Sequence, residues 1–166
     1  NRLKSLLQPT EVYENVESIV LDNLLEKKVT TLFLDVDNTI LKYSERTISL
    51  QKLKWIQQIK ACGFKVYVIS NNSNKKRIKK LAEEIEVTGL YFSLKPFPFA
   101  LREIMKDNNL TKKECVIIGD QLLTDIILGN VMNIHSILVD PMDKSTSIVK
   151  TIQREVELYL LKIIKK

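Results

Sequence analysis

The chain is poor in the residues that staple a fold or ligate soft metals. Its 166 residues include 2 cysteines and 1 histidine. Cys62 and Cys115 suggest neither a disulfide framework nor a zinc site, by number or by spacing. Cys62 falls at the end of a predicted helix and Cys115 at the start of a predicted strand, so both read as small buried hydrophobes in a reducing compartment. The lone histidine, His135, opens a predicted strand with no matching ligand nearby, which argues against a histidine-based mechanism. No apolar run approaches the length of a membrane span, and no signal peptide is visible. Residue 1 is Asn rather than Met, so a missing leader and export are left open. Internal repeats and low-complexity linkers are absent as well.

What remains is an ordinary globular composition with a basic surplus. There are 26 Lys and Arg against 20 Asp and Glu, a formal charge of +6. The length suits one domain around one substantial core, residues 1–166 as a whole. The surplus favours phosphate-bearing partners such as anionic lipid, nucleic acid or phosphorylated metabolites, although a solvated lysine surface explains it equally well.

One stretch stands out. Asp35-Val36-Asp37-Asn38-Thr39 follows the apolar run Leu32-Phe33-Leu34. Alternation along an extended chain would turn Asp35 and Asp37 to one side. Two like charges held there need a cation or a shared proton. A carboxylate pair with a nearby hydroxyl is what Mg²⁺-assisted phosphoryl transfer through an aspartyl phosphate requires. The plainer alternative is a strand end with an Asx turn.

Periodicity predicts alternating strands and helices after a helical lead-in over residues 1–28. A helix is expected over Glu17–Lys27, with Ile19, Val20, Leu24 and Asn23 on its inward side. The first strand is Thr31–Val36. A helix capped by Ser49 runs to Ala61 and stops at Gly63. The second strand is Lys65–Ser70. A helix capped by Asn74 runs to Glu86, its first turn carrying Lys75, Lys76 and Arg77 against the macrodipole. A short apolar segment, Leu90-Tyr91-Phe92, precedes Lys95-Pro96, and a helix follows over Phe97–Asn108. Thr111 to Glu114 has capping-box spacing before the strand Cys115–Gly119. A helix over Leu122–Met132, a strand over Ile134–Val139 and a terminal helix over residues 146–164 complete the chain. The expected fold is therefore α/β: a three-layer, Rossmann-like sandwich around a central parallel sheet, with a catalytic core over residues 29–140. Neither interval between the strands and Lys95 has room for a cap domain.

In an open α/β sheet, ligands bind beyond the carboxyl ends of the strands. Here those ends carry Asp35 and Asp37, Ser70 and Asn71, and Gly119-Asp120 with Thr124-Asp125, while Lys95 lies between the second and third. Assembled in that order, the segments resemble the haloacid dehalogenase-like superfamily of aspartate-nucleophile phosphohydrolases. The resemblance implies Asp35 as nucleophile and Asp37 as general acid and base. It implies Mg²⁺ held by Asp35, the backbone carbonyl of Asp37, and Asp120. Thr39, Ser70, Asn71 and Lys95 would contact the phosphoryl group or brace the loop around it, and Asp125 would orient Lys95 from behind. Each has a plainer reading: Ser70 could cap a turn, Lys95 could be one surface lysine among many, Asp120 could form a turn, and Asp125 could sit on a solvated face. Asn72, Asn74 and Gln121 are left without a role.

The flanks narrow the resemblance. Leu3 to Pro9, Phe64 to Asn72, Lys95-Pro96, and Gly119 to Ile126 with Gly129-Asn130 are similar to the capless YqeG family. That family is in turn similar to mitochondrial and plastid phosphatidylglycerophosphate phosphatases. The resemblance implies a phosphatase of phospholipid synthesis, acting on a lipid headgroup at the cytoplasmic face of the membrane with peripheral surface contact. The terminal stripe of Ile148, Ile152, Val156, Tyr159, Leu160 and Ile163 fits an interfacial helix, and fits better a helix packed on its own domain. A soluble phosphatase for a sugar, nucleotide or protein phosphate is the first alternative, and a basic RNA- or protein-binding module without turnover the second. Nucleic acid is not expected, because no aromatic-basic stacking motif occurs. Oligomeric state is not legible.

Overall fold

The computed structural model describes residues 2–90 and 93–143. Six strands form one parallel sheet: β1 (Glu11–Tyr13), β2 (Thr31–Asp35), β3 (Lys65–Ile69), β4 (Thr88–Leu90), β5 (Cys115–Gly119) and β6 (His135–Val139), in the order β1-β6-β5-β2-β3-β4. Helices α1 (Arg2–Leu6), α2 (Leu21–Glu26), α3 (Leu50–Ala61), α4 (Lys75–Glu84), α5 (Phe99–Asp107) and α6 (Ile127–Met132) connect and flank them. The α/β class, parallel sheet and missing cap are as the sequence predicts.

Alternation in β2 builds both halves of the core. Leu32 and Leu34 join Leu24 of α2, Trp55, Ile56 and Ile59 of α3, and Ile78 and Leu81 of α4 on one face. Phe33 faces the other way, with Leu101 and Met105 of α5 and Leu128 and Met132 of α6. Two covered faces account for the near-continuous apolar runs of the central strands. The helices change face between β4 and β5, where the chain crosses from one side of β2 to the other. β2 pairs with β3 on one side and β5 on the other, Asp35 lying opposite Ile69 and Leu34 opposite Ile118. The reversal of strand order therefore falls at the carboxyl ends of β2 and β5, where a ligand crevice opens.

Ser49 caps α3 by accepting the Lys52 N–H, and Asn74 caps α4 by accepting the Arg77 N–H. Gly63 (φ 93°) turns the chain out of α3, and Thr111 and Glu114 form the capping box. Other expectations need correction. The helix expected over Glu17–Lys27 is a 3₁₀ turn, Val16–Ser18, then α2, because Ile19 is extended between them. Ile19 and Leu24 are buried, but that break leaves Val20 48% exposed, and Asn23, expected inward, is exposed on α2. The helix expected over Phe97–Asn108 is α5, Phe99–Asp107, so Pro98 stands ahead of it rather than inside it. The helix expected from Leu122 begins as a π-helical turn, Leu122–Ile126, and only then becomes α6. The lead-in is not wholly helical: β1 pairs with β6, anchored by the Thr10 N–H donating to the Ser136 carbonyl at 2.9 Å. That pairing brings Glu11 to His135, giving the histidine a partner the sequence did not suggest. Cys115 is buried, but Cys62 is exposed, because it ends α3 on the solvent side of the turn. The terminal helix expected over 146–164 lies outside the described residues.

Phe33 is fully buried and stacks on Tyr67 with centroids 5.5 Å apart. Phe33→Ala should cost about 3–5 kcal/mol in urea unfolding, through lost transfer energy and a residual cavity. A loss below about 1 kcal/mol would contradict this packing.

Candidate active site

The site is assembled where β2, β3 and β5 end. Asp35 is the last residue of β2. Beyond it the chain turns tightly: the Val36 carbonyl accepts the N–H groups of Thr39, Ile40 and Leu41, and Asn38 takes a left-handed conformation (φ 63°) that Asn tolerates. The turn brings the Thr39 hydroxyl to 3.2 Å from Asp35 Oδ2 and 3.4 Å from Asp120 Oδ1.

Lys95 is buried, and its ammonium is fully engaged. Nζ donates to Asp35 Oδ1 at 2.6 Å, to Asp125 Oδ1 at 2.7 Å and to the Ile69 carbonyl at 3.3 Å. Burial opposes the charge on Lys95, but Asp125 and Asp35 outweigh it and raise its pKa above the ordinary lysine range. Burial pushes the Asp125 carboxyl up and the nearby Asp35 charge adds to this, while Lys95 pulls it down. The lysine backbone is held as firmly as its head. Asn71 Oδ1 accepts the Lys95 N–H at 2.7 Å, and Asn71 Nδ2 donates to the Lys95 carbonyl at 2.8 Å. Ser93 Oγ donates to the Ser70 carbonyl at 3.0 Å, tying the same segment to the end of β3. Ser70 Oγ accepts the Asn72 N–H at 3.0 Å, so it shapes the turn after β3.

Asp125 reaches this cluster only because residue 119 is glycine. A Cβ at Gly119 would lie 2.1 Å from Asp125 Oδ2. The π-helical turn after Gln121 then sets Asp125, fully buried, behind Lys95. Asp35, Asp120 and Asp125 each offer a carboxylate oxygen, all within 4.8 Å of one another. An oxygen-only set of this kind suits a hard divalent cation such as Mg²⁺. The carboxylate of Asp37 lies outside that trio. Arg77 Nη2 donates to Asp37 Oδ1 at 3.1 Å, and Asn72 Nδ2 donates to Asp37 Oδ2 at 3.1 Å. Arg77 is itself fixed by donating to the Lys42 carbonyl at 2.8 Å and to the Glu45 carbonyl.

Every residue singled out in the sequence thus comes to one place: Asp35, Asp37, Asn71 and Lys95 line a cleft of about 40 Å3, and Thr39, Ser70, Asp120 and Asp125 bond to it or stand beside it. Sequence reasoning missed Arg77, Asn72 and Tyr43. The only signal for Arg77 was a basic first turn opposing the helix dipole. Tyr43, at the mouth, has its pKa raised by burial first and then by Asp37, Asp35 and Asp120.

A sequence profile described as HAD-hydrolase-like matches residues 94–153. A Bacillus subtilis protein named "Probable phosphatase YqeG" is 33% identical over 164 residues, covering 99% of this chain and 95% of its own. Among solved structures, a Legionella pneumophila protein described as a "putative HAD superfamily (subfamily III A) hydrolase" aligns with TM-score 0.54 and 17% identity, over 88% of this chain and 96% of that one. A 3-deoxy-D-manno-octulosonate 8-phosphate phosphatase from Moraxella catarrhalis, solved with magnesium, phosphate and KDO, aligns with TM-score 0.51 and 17% identity, over 62% of this chain and 65% of that one. At such identities the two structures speak for the fold alone.

Replacing Lys95 by Met would leave Asp35 and Asp125 facing each other without the ammonium. Lys95→Met should cost about 3–5 kcal/mol near neutral pH. A carboxyl whose folded pKa is raised stabilises the fold below its unfolded pKa and loses that contribution as pH rises through the folded value. Asp125 is such a group. The deficit should therefore shrink on acidification and widen toward alkaline pH, as measured by denaturation at several pH values. A pH-independent deficit would contradict the pairing.

Proposed function

The chain belongs to the HAD-like hydrolase family, and from that premise we propose that it is a metal-dependent phosphatase that hydrolyses phosphate monoesters through an aspartyl phosphate. The observation that carries this reading is the different company kept by the two leading carboxylates. Asp35 sits against Lys95 and Thr39 as one of the acidic trio. Asp37 is held apart from the trio by Arg77 and Asn72, facing the same cleft. Two carboxylates in unlike surroundings can divide nucleophilic and proton-transfer roles.

In this mechanism an Asp35 oxygen attacks phosphorus and the bond to the leaving oxygen breaks. Asp37 gives that oxygen its proton. Asp37 then takes a proton from water, the water attacks phosphorus, and the bond from phosphorus to Asp35 breaks to release inorganic phosphate. Lys95 fixes Asp35, and its charge favours the approach of a phosphoryl group. Thr39 orients Asp35 and Asp120, the backbone after Ser70 faces the phosphoryl oxygens, and Asn71 and Asp125 hold Lys95. Asp35, Asp120 and the Asp37 carbonyl would hold Mg²⁺, with Asp125 adjoining. The ion, when bound, offsets the repulsion between phosphate and carboxylate.

For the substrate we propose a lipid phosphomonoester, phosphatidylglycerophosphate, met at an anionic membrane surface from the cytoplasmic side. Among the described residues the site has no cap to enclose a small molecule, and a headgroup at an interface needs none. Leu94, Phe97 and Phe99 beside Lys95 are 49%, 60% and 66% exposed, an apolar ledge suited to contact with acyl chains. No helix among the described residues is long and apolar enough to cross a membrane.

Asp35→Asn should lower phosphate release by on the order of 10³-fold or more while the fold persists. Undiminished turnover by the folded variant would refute Asp35 as nucleophile. Asp37→Asn should slow alkyl esters by about 10²–10⁴-fold and nitrophenyl esters less, because an acidic leaving group needs little protonation. Equal losses on both would remove the acid role. A phosphate-release panel should show phosphatidylglycerophosphate in mixed micelles preferred over soluble sugar and nucleotide monophosphates. Preference for a soluble ester would replace the lipid assignment.

A further inference from the structure

Beside the small catalytic cleft lies a far larger groove of about 600 Å3. The two share Tyr43 and Asn72. Its other walls include Arg46, Lys76, Arg77 and Lys80, and among the described residues no carboxylate lines it. Arg77 spends its charge on Asp37. Arg46, Lys76 and Lys80 are exposed and take part in no ion pair among the described residues. Lys76 and Lys80 are one turn apart on α4, where like charges repel. Their neighbour Lys79, by contrast, lies 3.9 Å from Glu83. A concentrated positive wall thus continues from a cleft that holds the carboxylates of Asp35 and Asp37.

Direction matters as much as charge. A general acid faces the leaving group. Arg77 bonds to Asp37 and also forms a wall of the groove, so the groove opens on the leaving-group side of the site. We propose that this groove is a second anion subsite, which takes a phosphate or phosphodiester carried by the leaving alcohol, with Arg46, Lys76 and Lys80 as its specificity-determining residues. This deepens the phosphatase reading above and rests on it. The preferred substrate class is then an ester with two anionic groups, one scissile at Asp35 and one retained in the groove. A lipid headgroup diester and a soluble bisphosphate both have that chemistry.

The test uses the whole chain with Mg²⁺, two charge-reversal variants, Lys76→Glu/Lys80→Glu and Arg46→Glu, and the conservative Lys76→Arg/Lys80→Arg. Substrates are nitrophenyl phosphate, glycerol 1,3-bisphosphate, and phosphatidylglycerophosphate in mixed micelles. Each charge-reversal variant should raise KM for substrates with a second anion by about tenfold, with kcat little changed. Nitrophenyl phosphate should be turned over as before, and Lys76→Arg/Lys80→Arg should restore KM. Losses on both the bisphosphate and the lipid support a subsite for the shared anion. A loss on the lipid alone overturns it in favour of general attraction to the micelle surface. Parallel losses on all three, or none on the doubly anionic substrates, also overturn it. Should the wild-type chain turn over none of them, the phosphatase reading fails separately. Titration calorimetry with glycerol 1,3-bisphosphate against glycerol 1-phosphate then decides the subsite: tighter binding of the bisphosphate that both charge-reversal variants abolish supports it, and equal affinities refute it.

Discussion

A buried ammonium between two carboxylates organises this molecule. An uncompensated charge in a protein interior costs several kcal/mol, so Lys95, Asp35 and Asp125 must be delivered together or not at all. They come from the segment after β4, the end of β2 and the π-helical turn after β5. Holding them within 2.6–2.7 Å therefore fixes the relative positions of three elements far apart in the chain. Other features near the site serve that constraint. Asn71 clamps both backbone groups of Lys95, and Gly119 vacates the space that Asp125 occupies.

The same cluster sorts the acidic residues. Asp35, Asp120 and Asp125 converge closely enough to demand a counter-charge, part of which Lys95 supplies. Asp37, two residues from Asp35, is drawn out of that trio by Arg77 and Asn72. The difference in surroundings comes from hydrogen-bond partners rather than from residue type, because both groups are aspartates near the same strand end. Beyond Arg77 the sign of the surface reverses, from a cleft lined by Asp35 and Asp37 to a groove lined by Arg46, Lys76 and Lys80. An anionic ligand would meet the positive groove on the way to the carboxylates of Asp35, Asp120 and Asp125.

Much of this was legible in the chain itself. Apolar runs such as Leu32 to Leu34 and Val116 to Ile118 mark buried strands, because a strand covered on both faces has no polar side to show. Polar residues directly after them mark the carboxyl ends of those strands, which sets Asp35, Ser70 and Asp120 at one end of the sheet, while Lys95 and Asp125 were joined to them by the family resemblance. Caps at Ser49 and Asn74 and the turn at Gly63 were readable for the same reason: each depends on residues only a few positions away.

What escaped the sequence depends on partners far away in it. Arg77 looks like a misplaced base on a helix until folding brings it to Asp37, 40 residues earlier. β1 has only three residues and too little pattern to announce itself; it becomes a strand because β6 offers an edge, with Thr10 bonding to Ser136, 126 residues later. The break at Ile19 and the exposure of Cys62 likewise follow from how short segments meet the core, not from local propensity. Local patterns determined where the strands and the catalytic candidates lie, because burial and capping act over a few residues. Tertiary structure alone decided which charges meet, because ion pairs between strand ends are made across the sheet.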